Sequence, residues 1–238
     1  MKTRNRSFQT ARIIPIAAVL FLIPLMNALI FADDATESIQ LVEKARMSFE
    51  NFLKAGEMEA FRNLLKEARG VFIAPQILKG AFIIGASGGS GVFLARDRET
   101  GKWAGPAFYT MGEASFGFQA GGQSSEVILL AMTERGVTSL LASSLKLGAD
   151  VGVAAGPVGV GAAASTANLS ADIISFARSK GLYGGISLDG AIVKVREKLN
   201  NAYYKKKVTP VDILVSRTAV SQESSGLIEA ISKEAGGK

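Results

Sequence analysis

Gly85-Ala86-Ser87-Gly88-Gly89 has the G-x-S-x-G spacing of a nucleophile elbow, in which a serine attacks an acyl carbon once a histidine has taken its proton. The chain contains no histidine, so Ser87 has no base of that kind. It contains no cysteine either, which removes disulfides, a cysteine nucleophile, thiolate metal sites and the usual zinc shell. Proton transfer would rest on carboxylates, lysines and tyrosines alone. Glu113 with Glu126, and Asp172 with Asp189, are the carboxylates that could pair. Nothing in their spacing sets a glycosidase-like separation, and solvated or ion-paired side chains are the ordinary outcome. Gly159-Val160-Gly161-Ala162-Ala163-Ala164 approaches a dinucleotide fingerprint. Pro157 lies just upstream, no βαβ pattern surrounds it, and no acid stands about 20 positions on, so a curved small-residue strand is the better reading. The chain is read as non-enzymatic, with no cofactor and no metal.

Tyr203-Tyr204-Lys205-Lys206-Lys207 points to a different chemistry. Two amphipathic rings beside three ammonium groups suit an anionic membrane interface, with rings at headgroup depth and lysines on phosphates. A solvated helix end, with lysines complementing the helix dipole, accounts for the same residues. The segment from Glu57 to Arg69 poses the same choice. Met58, Phe61, Leu64, Leu65 and Ala68 make an apolar face flanked by Arg62, Lys66 and Arg69, suited to a membrane surface or to packing on a sheet.

Residues 1–32 read as a targeting segment. Lys2, Arg4, Arg6 and Arg12 form a basic start, and an apolar run from Ile13 to Met26 follows. Cleavage is expected before Asp33; an uncleaved anchor is the competing reading, since the run to Ala32 is long enough to span a bilayer. Export to the periplasm or envelope is the expectation. The leader carries four basic side chains and no acids, so the +6 of the whole chain becomes +2 beyond it. That small surplus gives no reason to expect nucleic acid as a partner.

The remaining elements must position these groups. Ile39, Val42, Phe49, Phe52 and Leu53 recur at helical spacing over 35–54, and Gly56 ends the run. A second helix closes at Gly70. Short strands are expected at 71–74, 81–86 and 91–96, the last two joined by the glycine block as a turn. A polar hairpin loop at 97–102 leads to a return strand at 103–111. Alternation at 115–119 places Phe116 and Phe118 on one face, and 126–132 is a strand. Thr133 caps a short helix. Strands follow at 173–178 and 182–187, then 191–196 as strand or lead-in, helix 197–204, and a last helix at 225–234. So many glycines in one antiparallel set imply strong curvature. The fold class is therefore α+β, a strongly curved Gly-rich sheet or barrel-like core with N-terminal and C-terminal helices. Residues 33–69 would be the N-terminal amphipathic helices and 70–238 the core.

From about Leu65 to Leu214 the chain resembles the SYLF domain, the Ysc84-type actin-binding or lipid-binding domain. The matching segments include Ala68-Arg69-Gly70-Val71, Gly88 to Arg96, Trp103-Ala104-Gly105-Pro106, Gly117-Phe118-Gln119-Ala120-Gly121, and Ala154-Ala155-Gly156-Pro157-Val158-Gly159. Further along come the run from Ser179 to Gly190 around Leu182-Tyr183-Gly184-Gly185, Asn201-Ala202-Tyr203-Tyr204, and Val208-Thr209-Pro210-Val211-Asp212-Ile213-Leu214. The resemblance implies a binding family outside the known enzyme classes. Its eukaryotic members bind phosphoinositides, some bind and bundle actin, and they often carry SH3 or FYVE domains. Lipid contact in those members is attributed to an amphipathic N-terminal helix and nearby basic residues, which map onto Lys66, Arg69 and Lys79. An exported member would meet no actin. The expectation is peripheral binding to anionic membrane lipid, with Lys66, Arg69, Lys79, Tyr203, Tyr204, Lys205, Lys206 and Lys207 as candidates and the N-terminal helix supplying insertion area. A structural or interaction module with an envelope protein partner is the alternative.

Overall fold

The computed structural model describes residues 16–81, 85–115, 123–159 and 171–236, with side chains described from Asp33 onward except at 80–81, 85–86, 114–115 and 123. The leader expectations, the alternation at Phe116 and Phe118, and residues 160–164 of the Gly159–Ala164 run lie outside the described residues or side chains. Among the described residues the helices are α1 (Ile16–Lys54), α2 (Glu59–Glu67), α3 (Glu134–Ser139), α4 (Glu197–Tyr204), α5 (Pro210–Leu214) and α6 (Ser225–Glu234). The strands are β1 (Gly70–Ala81), β2 (Gly85–Arg96), β3 (Trp103–Ser115), β4 (Gln123–Ala131), β5 (Ser144–Lys146), β6 (Val153–Ala155), β7 (Ile173–Ser179), β8 (Leu182–Gly185) and β9 (Ile192–Val195). They form one sheet in the order β5-β9-β3-β2-β1-β4-β7-β6, with β8 also paired to β7. Pairing is antiparallel except between β6 and β7. The sheet curls into an open half-barrel flanked by the terminal helices, so the expected α+β class holds.

Register assigns the two faces. Phe108, Val92, Ile73, Ile128 and Phe176 form one row across β3, β2, β1, β4 and β7. This row meets helices: Phe176 lies edge-on to Phe61 of α2 at 5.3 Å, and Phe108 lies edge-on to Tyr203 of α4 at 5.0 Å. The neighbouring row on the opposite face runs Ala107, Phe93, Phe72, Leu129 and Ser175. There Tyr109 lies edge-on to both Phe72 and Phe93, and its hydroxyl donates to Leu140 O just past α3. Both faces are covered, which is why residues 71–74 and 127–131 are buried without alternation.

Three strand expectations are corrected. The glycine block Gly85 to Gly91 is not a turn; it lies inside β2, paired residue by residue with Tyr109 to Ser115. Gly91 is needed there because a Cβ would stand 2.5 Å from the Phe72 ring. β1 does not stop at Pro75 but continues through a register shift between Ala74 and Ile77, a bulge that accommodates the missing N–H. The 81–86 strand is split between the end of β1 and the start of β2. The N-terminal helix is also longer than 35–54 and runs unbroken through Asp33.

Leu41, Val42, Ala45, Phe49 and Phe52 of α1 are buried. Its last carbonyls are capped by Arg62, whose Nη1 donates to Leu53 O and Ala55 O. In this packed state those five residues belong to the core, and among the described side chains of α1 the large apolar ones left exposed are Ile39 and Met47.

Candidate functional site

The candidate site grows from the way α4 is fastened to β3. Asn200 is fully buried; its Oδ1 accepts from Phe108 N at 2.9 Å and its Nδ2 donates to Phe108 O at 3.4 Å. One turn later the Tyr204 hydroxyl donates to Pro106 O at 2.9 Å. Tyr203 and Tyr204 are buried, with ring centroids 5.0 Å apart, and burial pushes both phenols above their usual range. They are core residues, which corrects the expectation of rings lying at headgroup depth. A ring on that face of α4 must point at the sheet, because Asn200 and Tyr204 already do.

The lysines behave differently. Lys205 ends α4 in the left-handed conformation at φ 54°, and Lys205, Lys206 and Lys207 are all exposed. Lys206 Nζ donates to Thr218 O at 2.7 Å, joining the end of α4 to the segment after α5. α5 begins with a capping box in which Thr209 Oγ1 accepts from Asp212 N and the Asp212 carboxylate accepts from Thr209 N. The hydrogen bonds that Thr209 Oγ1 and then Thr209 N donate to it hold the Asp212 carboxyl below its usual range, with Lys206 adding to the effect. Thr218 N donates back to Asp212 O. Residues 205–220 thus form one small unit.

That unit is tied to the β2–β3 turn. Arg217 Nη2 donates to Asp97 Oδ2 at 2.5 Å, while Asp97 Oδ1 accepts from Thr100 N, Thr100 Oγ1 and Glu99 N. The hydrogen bonds from Thr100, and then the Arg217 charge, bring the Asp97 carboxyl down to about 2. Next in the chain, Arg98 bridges to Glu134 at 2.6 Å, and Arg69 approaches the same carboxylate at 3.6 Å. Arg96 Nη1 donates to Lys66 O. Lys66, Arg69 and the 205–220 unit are therefore linked at the β2–β3 turn end of the sheet, their charge partly offset by Asp97 and Glu134. Lys79 is elsewhere. It stands nine residues beyond Gly70 along β1, about 30 Å at the rise of an extended strand.

Val211, Val215 and Val220 escaped sequence reasoning. They are 43%, 56% and 83% exposed, while Pro210, Ile213 and Leu214 turn inward. The signal in the sequence was a five-residue helix with apolar residues on both sides.

The catalytic patterns dissolve. Ser87 is mid-strand, paired with Lys79 and Glu113. Glu126 shares the helix face with Ile128 and accepts from Ser48 Oγ of α1, whereas Glu113 shares the other face with Met111. Asp172 accepts from Thr133 Oγ1 and Gly152 N, and Asp189 from Ser187.

The model of the Ysc84 family, described as Las17-binding protein actin regulator, matches residues 112–234. Protein YSC84 of Saccharomyces cerevisiae is 31% identical over 177 residues, covering 72% of this chain and 37% of the relative. The human SH3 domain-containing YSC84-like protein 1 is 29% identical over 171 residues, covering 71% of this chain and 49% of the relative. LAS seventeen-binding protein 3 of Saccharomyces cerevisiae is 32% identical over 159 residues, 65% of this chain and 34% of the relative. The chain thus spans about half or less of the length of these curated relatives. With more than half of its residues matched by the family model, the chain belongs to the Ysc84 family.

Proposed function

We propose that this chain is a non-enzymatic binding module that associates peripherally with anionic membrane surfaces of the cell envelope. The observation that carries this reading is the run Lys205 to Lys207, exposed on a buried Tyr203–Tyr204 base and linked to the basic groups around the β2–β3 turn. Each basic residue near an anionic surface contributes about 1 kcal/mol, so a few of them hold a domain weakly and in a salt-dependent way. Export, with residues 1–32 as leader or anchor, belongs to the same proposal.

The test is co-sedimentation of the full chain with phosphatidylcholine vesicles, with and without phosphatidylglycerol, at low and high salt. Binding that needs the anionic lipid and falls with salt is expected, and K205E/K206E/K207E should weaken it and flatten its salt dependence. Binding that is equal on both vesicles and indifferent to salt overturns the reading.

A second reading has its own support. The family is described by Las17 binding and actin regulation, and one relative is named for Las17 binding. A protein partner for this domain is the alternative, favoured if the chain ignores vesicles yet assembles with itself or with an envelope protein in a concentration-dependent way.

A further inference from the structure

Val211 and Val215 are four residues apart, so they share the outer side of α5, and Val220 follows where the 205–220 unit ends. Three exposed branched aliphatics in one small unit are not accounted for by the core. On the inner side of α5 Pro210, Ile213 and Leu214 are buried, so Val211 and Val215 rest on a fixed base. Lys206 is bonded into the same unit through Thr218 O, with Lys205 and Lys207 on either side of it. The one acid in the unit, Asp212, is occupied by the capping box.

We infer that Val211, Val215 and Val220 form an apolar ridge that inserts between the headgroups of an anionic bilayer while Lys205, Lys206 and Lys207 meet its phosphates. This rests on the membrane reading proposed above and adds to it the inserting residues and the face that meets the bilayer. Charge complementarity selects this occupant. Lysine beside aliphatic side chains suits a headgroup boundary, where ammonium groups stay hydrated and the apolar side sinks a few ångströms. Protein interfaces are instead depleted in lysine and anchored by tryptophan, tyrosine and arginine. The rings that could have served as such anchors, Tyr203 and Tyr204, are buried.

Charge and insertion have separable signatures. Apolar insertion does not depend on counterions, so losing it lowers affinity at every salt concentration without changing the salt slope. The full chain and its V211S/V215S/V220S variant would be compared on phosphatidylcholine vesicles with and without phosphatidylglycerol across a salt series. The variant is expected to bind the anionic vesicles about tenfold more weakly, with the slope of the natural chain. In a second variant, V220W, the added indole reports its surroundings directly, and its emission is expected to shift to the blue with anionic vesicles only. Salt-dependent binding by the natural chain, together with an unweakened triple variant and an unshifted V220W, overturns the ridge and leaves the lysine reading standing. Loss of salt-dependent binding in the natural chain itself overturns both.

Discussion

Arg196, between β9 and α4, grips Glu37 of α1 across 159 positions of sequence: Nη1 donates to Oε1 at 2.5 Å and Nη2 to Oε2 at 3.1 Å. The same Nη1 donates to Ser90 Oγ of β2 at 2.7 Å. One guanidinium thus joins the N-terminal helix, the sheet and α4, in the two-pronged geometry that arginine alone provides. The carboxylate is substantially exposed, so the pair contributes little to global stability. Replacing Arg196 with Ala should lower unfolding stability by about 1 kcal/mol or less, yet raise amide exchange in α1 around residues 34–40 well above that of its C-terminal half. Uniform exchange along α1 in the variant would show that the grip is not what holds this end down.

Gly91 and Phe72 mark one of the close approaches between β2 and β1. A Cβ on Gly91 would stand 2.5 Å from the Phe72 ring and 2.8 Å from Ile73 O. The ring cannot give way easily, because it is buried and Tyr109 meets it edge-on at 6.2 Å. Gly91→Ala should cost about 1–3 kcal/mol in denaturant unfolding. Gly184→Ala in β8 is the control: nothing lies within 4 Å of its Cβ, and its stability should hold or rise slightly. Equal effects at the two positions would locate the cost in backbone freedom and not in packing.

The misreading of that glycine block shows where local signals stop. Seven residues rich in glycine look like a turn because turns are what glycine does locally. Their place in β2 follows from partners such as Tyr109 and Phe72, which are not neighbours in sequence. Where a local rule is sufficient, reading and structure agree. The 197–204 and 225–234 helices match α4 and α6, the 97–102 loop joins β2 to β3, and Thr133 Oγ1 accepts from Gly136 N as the cap of α3. The candidate site was half legible for the same reason. Lys205 to Lys207 were expected at a helix end and are exposed there. Which way Tyr203 and Tyr204 faced depended on Phe108 and Pro106, about 100 residues upstream. The separation of Lys79 from Arg69 depended on β1 being one long strand.

Asp97 gives a pH prediction with a defined sign. Its carboxyl sits at about 2 in the folded protein, below the ordinary 3.8, because Thr100 donates to it and Arg217 lies beside it. A depressed carboxyl stabilises the fold above the unfolded value and loses that contribution as the pH falls through the folded one. Asp97→Asn should therefore lower the melting temperature near neutral pH, and the gap to the natural chain should close between about pH 4 and pH 2. A gap that stayed constant through this range would mean that the asparagine perturbs the turn sterically and that the charge on Asp97 matters little.

The two tyrosines at the end of α4 make a matched pair for a last test. Both are buried, and both differ from phenylalanine by one hydroxyl. Tyr204 donates to Pro106 O at 2.9 Å, so Tyr204→Phe leaves a buried carbonyl without its partner and should cost about 1–3 kcal/mol. The Tyr203 hydroxyl faces Ser221 and Ser224 but makes no hydrogen bond among the described residues. Its polar atom is already buried unpaired, so Tyr203→Phe should change stability by no more than about 0.5 kcal/mol. Neither change removes the ring that supports Lys205 to Lys207, so vesicle binding by both variants should follow the natural chain wherever they remain folded. A large cost at Tyr203 would reveal an acceptor for its hydroxyl, and the natural candidates are Ser221 and Ser224, just before the final helix.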